Sequence, residues 1–287
     1  MTAANRVKLA PGLYFLATPI GTARDITLRA LDILASADVL VAEDTRALRR
    51  LMDIHGIALE GRSVVAYHDH SKATHRDRLL AQLEEGQSMA YASEAGTPLI
   101  ADPGYQLGRA ASEAGHLVTS APGPSAVLAA LSISGLPTDS FFFAGFAPNS
   151  TGQRQAYYRT LVDIPGTLVF YESPNRTAKA LRDMEAIFGG DRQAAMAREL
   201  TKKFEEVQRG TVSELAQNLS ERTIKGEVVL LVARGTQDSF DDADIEKMLA
   251  EELDGASVKD AVAQVVQDTG LPRRRIYQLA LELNKRN

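Results

Sequence analysis

The sequence predicts a layered α/β protein that ends in a purely helical tail. Three observations carry this reading. Over the first 120 residues short apolar runs alternate with amphipathic stretches, the pattern of strands joined by helices. Breaks rich in Pro, Gly and Ser at Ser120–Ser125 and Pro137–Ser140 are followed by a second alternating series that runs to about Gly235. Beyond the acidic stretch Asp238–Asp244, apolar residues recur only at helical spacing. The chain of 287 residues therefore divides into an α/β domain over 1–120, a second α/β domain over 121–236 and a helical domain over 237–287.

In order, Leu13–Ala17, Val39–Ala42, Val64–Tyr67, Met89–Ala92 and His116–Thr119 read as strands. Between them Leu28, Leu31 and Leu34 recur at helical spacing, as do Leu79, Leu80 and Leu83 ahead of Gly86, a good helix stop. Strands separated by helices form a mostly parallel sheet. In the second series the strands are Thr167–Tyr171, Ala194–Arg198, Glu205–Arg209 and Glu227–Ala233, with helices around Ala178–Phe188 and Val212–Leu219, an α/β or α+β arrangement. The tail carries one apolar stripe of Val258, Ala261, Val262, Val265 and Val266 and another of Ile276, Leu279, Ala280 and Leu283. Thr269-Gly270-Leu271-Pro272 joins them as a helix-turn-helix, with Gly as the stop and Pro suited to the next first turn.

With no cysteine, disulfides, thiolate nucleophiles, Cys-based zinc sites and iron–sulfur clusters are excluded. No apolar run is long enough to span a bilayer and the N-terminus has no secretory pattern, so the expected location is the cytoplasm, away from membranes. A formal charge of −5 argues against a generic nucleic-acid coat, so contact with nucleic acid must use local patches. The candidates are Arg46, Arg49 and Arg50 on one helix, Lys202 with Lys203, and Arg273, Arg274 and Arg275 in the first turn of the last helix. There positive charge opposes the helix dipole, a conflict that a phosphate would relieve.

The sequence has neither G-x-x-x-x-G-K-[ST] nor G-x-G-x-x-G after a strand, which weighs against P-loop and ordinary Rossmann readings. Instead three strands run into Gly/Pro turns: Ala17–Gly21, Ser93–Pro98 and Ala121–Ala126. Strand ends of this kind are where α/β sheets bind ligands. Ser125 is placed to cap the apolar helix that follows it, whose amides suit a carboxylate or phosphate. His68, His70 and His75 with Asp69 and Asp77 have no second-shell pattern, so no metal site is expected.

The segments TPIGTARDITLRALDILASADVLVAEDTRALRRL, SEAGTPLIADPGYQL, APGPSAVLAALSISGLP, YESPNRTAKAL and ARELTKKFEEVQRGT closely resemble the small-subunit ribosomal RNA 2′-O-methyltransferase I family, within the tetrapyrrole-methylase-like class of S-adenosylmethionine enzymes. The resemblance spans roughly Leu13–Ala233 in order and at natural spacing, and the tail also looks like the family's C-terminal domain. It implies two α/β domains with the methyl donor in the cleft between them, a homodimer, and as substrate the ribose 2′-hydroxyl of a cytidine in the decoding region of small-subunit ribosomal RNA. Carried over by motif, Pro19, Thr97, Pro98, Ile100, Ser125 and Ala126 would line the donor pocket, and Tyr171 and Ala197 would close it. The chain departs from the family pattern at Thr22, Glu94, Ala101 and Asn175, where Asn, Asp, Ser and His are usual.

A ribose hydroxyl is a poor nucleophile, so a group that accepts its proton is expected. Asp25, Glu43, Asp44 and Asp102 flank the motif turns. Asp44 also reads as the N-cap of the helix beginning near Thr45, and Asp102 before Pro103 as a turn former. Glu43 and Asp102 are the candidates to assist the hydroxyl. Two alternatives stay open here: a tetrapyrrole C-methyltransferase with a small acidic substrate, and a ligand-sensing helix-turn-helix regulator that binds duplex DNA.

Overall fold

A computed structural model describes residues 4–68, 73–101, 104–235, 242–253, 256–269 and 273–286, without the side chains of 267, 275 and 284–286. Among them β1 (Gly12–Leu16), α1 (Leu28–Ser36), β2 (Val39–Ala42), α2 (Thr45–Ile54), β3 (Val64–Ala66), α3 (Ala73–Glu84), β4 (Ser88–Ala92), α4 (Tyr105–Glu113), β5 (Val118–Ala121) and α5 (Ala126–Ser134) follow in chain order. The five strands form one sheet in the order β3-β2-β4-β1-β5, with every pair parallel. The helical crossovers dictate this, because a parallel return needs a long connection.

Both faces of the sheet are covered, which is why β1, β2 and β4 are buried along their whole length. Side chains alternate between the faces. Tyr14 and Leu16 of β1 point into a cluster with Leu31 and Leu34 of α1 and Leu48 and Met52 of α2. Leu13 and Phe15 point into another with Leu79 and Leu83 of α3 and Leu107 of α4. Leu28, expected on the buried stripe of α1, is instead 63% exposed. Thr27 caps α1 by accepting a hydrogen bond from Ala30 N, so Leu28 sits in the first turn facing out while Ala30, Leu31, Ile33 and Leu34 face the sheet.

The second sheet contains β6 (Phe141–Phe146), β7 (Thr167–Glu172), β8 (Gln193–Arg198), β9 (Glu206–Thr211) and β10 (Val228–Val232), in the order β6-β7-β10-β8-β9. Only β6 and β7 run parallel; the other pairs are antiparallel. The Phe141 run after the Pro137–Ser140 break, not among the strands expected from sequence, is thus an edge strand. Helices α6 (Thr151–Arg159), α7 (Thr177–Phe188) and α8 (Val212–Ser220) pack Tyr158, Leu181, Met184 and Leu215 onto one face of this sheet. Its other face takes α5, through Val127, Ala130 and Leu131 against Val169, Ala195, Ala197, Val229 and Leu231. Strand boundaries differ from the sequence reading by a residue or two, the largest shift being β5, expected at His116–Thr119.

By contacts the chain divides into one compact unit ending at Arg234 and another beginning at Gly235. The second unit holds α9 (Asp242–Leu253), α10 (Val258–Thr269) and α11 (Arg273–Arg286). Its core joins both expected stripes to a third helix: Ile245 and Leu249 of α9 pack with Val262, Val265, Ile276, Leu279 and Ala280. The turn Gly270–Pro272 lies outside the described residues.

Candidate active site

Because β2, β4, β1 and β5 are parallel neighbours, everything that follows their C-terminal ends lies along one edge of the first sheet. In spatial order the edge carries Glu43 after β2, the Ser93–Pro98 turn after β4, the Ala17–Gly21 turn after β1 and the Pro122–Ala126 turn after β5. The three turns are also bonded to one another. Thr18 N donates to Gly96 O and Gly96 N to Thr18 O, both at 3.0 Å. The Thr18 hydroxyl donates to Ser93 O at 3.1 Å, Ser93 Oγ donates to Gly96 O at 2.6 Å, and Thr97 Oγ1 donates to Pro124 O at 2.9 Å. Gly123 comes so near β1 that a Cβ there would stand 3.1 Å from the Ala17 Cβ.

Within this edge Pro98 is buried, Pro19, Thr97, Ser125 and Ala126 are half-buried, and Ile100 is 40% exposed. Leu99 and Ala101, on either side of Ile100, have left-handed backbones with φ of 69° and 55°. Such conformations in non-glycine residues cost about 1–3 kcal/mol each and concentrate at functional sites. Ser125 caps α5 by accepting from Leu128 N, as expected. Glu43 is half-buried and already engaged by a neighbour, and Asp44 caps α2 by accepting from Arg46 N and Ala47 N. Those two amide bonds hold the Asp44 carboxyl below its ordinary pKa. Asp102 lies outside the described residues.

The second sheet supplies the facing wall. Ile20 of the β1 turn, Ala126 and Val127 at the start of α5, and Tyr171, Ala197 and Leu200 belong to one apolar cluster. The Tyr171 ring is edge-on to Phe143 at 4.9 Å and to Phe146 at 5.5 Å. Burial raises the pKa of its hydroxyl and the nearby Glu227 carboxylate raises it further, while the Val127 amide pulls the other way. A phenol held neutral at a helix N-terminus is a donor and acceptor for a polar ligand group.

The turn between β8 and β9 locks onto the β1 turn. Thr22 N donates to Thr201 Oγ1 at 3.0 Å and the Thr22 hydroxyl to Thr201 O at 2.6 Å. A Cβ on Gly21 would lie 2.5 Å from Thr201 Oγ1 and 2.8 Å from Leu200 O, so only glycine permits this approach. Sequence reasoning missed this contact and the phenylalanines around Tyr171. Left-handed conformations at Glu199 and Thr201 do not show in residue type, and the F-F-F-A-G-F run identifies a strand but not its neighbour.

The expected RNA contacts divide. Arg46, Arg49 and Arg50 are exposed on α2, Lys203 is exposed, and Arg273 and Arg274 are exposed in the first turn of α11; the Arg275 side chain lies outside the described atoms. Lys202 needs correction: its ammonium is half-buried and bonds Glu199 Oε1 at 3.0 Å and Glu227 Oε2 at 2.9 Å. Burial lowers its pKa, but the hydrogen bonds to the two carboxylates outweigh this and leave it raised. Its charge is neutralised by these two carboxylates. Among the described residues no group of three or more His, Asp and Glu is placed to hold a metal ion, and no helix is long and apolar enough to cross a membrane. His70 and Asp69 fall outside the described residues.

A parallel sheet whose glycine- and proline-shaped strand ends face a second, mixed sheet defines a tetrapyrrole-methylase-type protein, and residues 12–216 match the family model described as Tetrapyrrole (Corrin/Porphyrin) Methylases. Solved structures that share this fold include two methyltransferases. One is a cobalamin biosynthetic cobalt precorrin-4 methyltransferase, with TM-score 0.57 and 19% identity, covering 77% of this chain and 94% of its own. The other is a uroporphyrin-III C-methyltransferase from Thermus thermophilus complexed with S-adenyl homocysteine, with TM-score 0.54 and 17% identity, covering 79% and 99%. The chain belongs to the ribosomal RNA small subunit methyltransferase I family: it is 45% identical to the member from Mesorhizobium japonicum over 276 residues, 96% of this chain and 93% of that protein. Residues 240–284 match the model described as the RsmI C-terminal HTH domain.

Proposed function

We propose that the protein transfers a methyl group from S-adenosylmethionine to the 2′-hydroxyl of a cytidine in the decoding region of small-subunit ribosomal RNA. The observation that carries this over the tetrapyrrole alternative is that the relationship to ribosomal RNA methyltransferases covers 96% of the chain, and that the helical unit has its own matching model within that family. A DNA-binding regulator would leave the methylase match over 12–216 without purpose.

Residues 1–120 and 121–236 serve as the two lobes around the donor. The edge fits such a ligand chemically. Backbone donors and acceptors of the three turns suit an adenine edge and polar groups, the α5 N-terminus suits a carboxylate, and Ile20, Pro98, Ala126 and Ala197 supply apolar walls. Pro19, Thr97, Ile100, Ser125 and Tyr171 complete the lining. Bound there, S-adenosylmethionine supplies an electrophilic methyl carbon. The residues of the chain position the ribose hydroxyl in line and exclude water, which accounts for much of the rate gain. Glu43, which follows β2, and Asp102 are the residues proposed to accept the hydroxyl proton. Arg46, Arg49, Arg50 and Lys203 hold phosphates, and Arg273, Arg274 and Arg275 do so from the helical unit. The protein works in the cytoplasm as a homodimer, a reading supported by exposed Phe141, Phe142 and Phe146 on the edge strand β6.

The test is transfer of labelled methyl to small ribosomal subunits lacking the modification, with a precorrin precursor and duplex DNA in parallel. Label in RNA as an alkali-resistant dinucleotide is expected; label only in the tetrapyrrole moves the assignment to that class. Alanine at both Glu43 and Asp102 is expected to slow turnover while RNA still binds, and unchanged turnover would show that positioning alone suffices.

A further inference from the structure

The turn joining β8 to β9 is held more firmly than a surface connection needs. Thr201 N donates to Glu205 Oε2 at 2.7 Å, Lys202 N to Glu199 O at 3.0 Å and Glu205 N to Lys202 O at 3.1 Å. Lys202 bonds Glu199 and Glu227, and Thr201 is tied to Thr22 by two hydrogen bonds. Two of its residues, Glu199 and Thr201, are held in left-handed conformations. What this braced turn presents to solvent is Phe204, at 62% one of the most exposed large apolar side chains among the described residues. The exposed Lys203 ammonium lies over this ring, 5.5 Å from its centroid. Glu205, the neighbour that would repel a phosphate, has one carboxylate oxygen turned back onto the Thr201 amide.

With 62% of its surface exposed, the ring is accessible to a ligand from solvent. An exposed planar ring with a mobile cation in contact with it, on a turn docked against the β1 strand end, has the chemistry of a single-stranded nucleic-acid contact: π-stacking for a base and positive charge for the adjoining phosphate. We propose that Phe204 is a stacking platform for an unpaired base of the RNA substrate, with Lys203 on the neighbouring phosphate. This rests on the reading of the chain as an RNA methyltransferase. It adds a way of recognising the nucleotide: the strand edge engages the ribose and Phe204 engages a base in or beside the same unpaired segment. A ribose that reacts must be accessible, and a base held out of its stack keeps it so.

The experiment measures methyl transfer to unmodified small ribosomal subunits by the full chain and four variants. F204A and F204L are expected to raise KM for the subunit by about 5- to 100-fold, the loss associated with one base–aromatic stack, with a smaller change in kcat and an unchanged melting temperature. F204Y and F204W keep a planar ring and are expected to stay within a few-fold of wild type. Because leucine preserves hydrophobicity and loses planarity, equal KM for F204L and wild type would overturn stacking. The chain contains no other tryptophan, so the fluorescence of F204W also reports on a second copy as the occupant: a change on dilution of the free protein would place a protomer over the ring and overturn the proposal. If the wild-type chain itself labels no RNA, the functional reading fails; if it labels RNA and F204A does so with wild-type KM, only the stacking platform fails.

Discussion

The two sheets are stabilised by different means. Among the described residues, the ion pairs of the first half, Arg6–Glu60, Arg46–Asp44, Arg76–Asp77 and Arg109–Glu113, each have at least one side chain more than half exposed. In the second half Lys202–Glu227, Arg222–Glu206 and Arg234–Asp139 likewise keep an exposed partner, but four further pairs, Arg154–Asp183, Arg176–Glu172, Arg198–Glu206 and Lys202–Glu199, are less than a third exposed on both sides. The reason lies in the topology. A parallel sheet under helices on both faces has an apolar interior, and its loops converge on the strand ends, where main-chain groups do the work. The mixed sheet must hold long loops at fixed positions around that edge, and buried guanidinium–carboxylate pairs do this. Arg154 bonds Asp183 while donating to Asn149 O at 3.0 Å and Thr151 Oγ1 at 3.2 Å, and Arg176 donates to Ala147 O at 2.6 Å, so two arginines anchor the β6–α6 loop near Tyr171. The contrast teaches that the two walls of the candidate site should fail differently when altered.

The largest expected effect is at Asp183. Asp183→Ala strands the Arg154 guanidinium in the core and is expected to cost about 3–5 kcal/mol in urea unfolding, while Glu113→Ala in the exposed Arg109 pair leaves the curve where it was. A small loss at Asp183 would remove the distinction between the halves. Next is Gly21→Ala, whose Cβ must push Thr201 and Leu200 away. It is expected to destabilise by about 1–3 kcal/mol and to lower methyl transfer by a larger factor than stability alone explains, because it separates the two walls. Transfer unchanged at a temperature where the variant is folded would show that the docked turns are incidental. The smallest effect is read by pH. Hydrogen bonds from Arg222, then Gln208 and Arg198, hold Glu206 at a pKa of about 2, against an ordinary 4.5. A carboxylate depressed by folding contributes stability that is full above its unfolded pKa and is lost as pH falls through the folded one. Stability should therefore decline between about pH 4.5 and about pH 2, and Glu206→Gln, at a cost of roughly 1–2 kcal/mol at neutral pH after solvent screening, should flatten that decline. An identical acid limb in the variant would assign it to other carboxylates.

Much of the first half was legible because its signals are local. Val39–Ala42 is a strand of apolar residues buried on both faces, Asp44 and Ser125 cap the helices that follow them, and the glycine- and proline-rich turns mark the strand ends. The second half was less so. The β6 edge strand ends in exposed Phe146, α6 is mostly polar, and Arg154 reads in sequence like any surface arginine although it is 1% exposed. A buried ion pair between residues 29 positions apart has no periodicity to reveal it. The same holds for Lys202, whose basic neighbour suggested a nucleic-acid patch and whose partners, Glu199 and Glu227, lie on different segments.

By itself the sequence determined the alternation of strands and helices, the caps at Asp44 and Ser125, the turns available to bind a donor and the apolar stripes of the tail, since each depends on side-chain type at short spacing. Only the tertiary structure decided that four strand ends share one edge, that Gly21 and Thr22 lock onto Thr201, that Tyr171 sits between two phenylalanines at the start of α5, and that Phe204 is left facing water. Those outcomes depend on strand order and on close approaches between distant segments, where the burial of apolar surface and the pairing of charges are satisfied jointly by the whole fold rather than by any one stretch of chain.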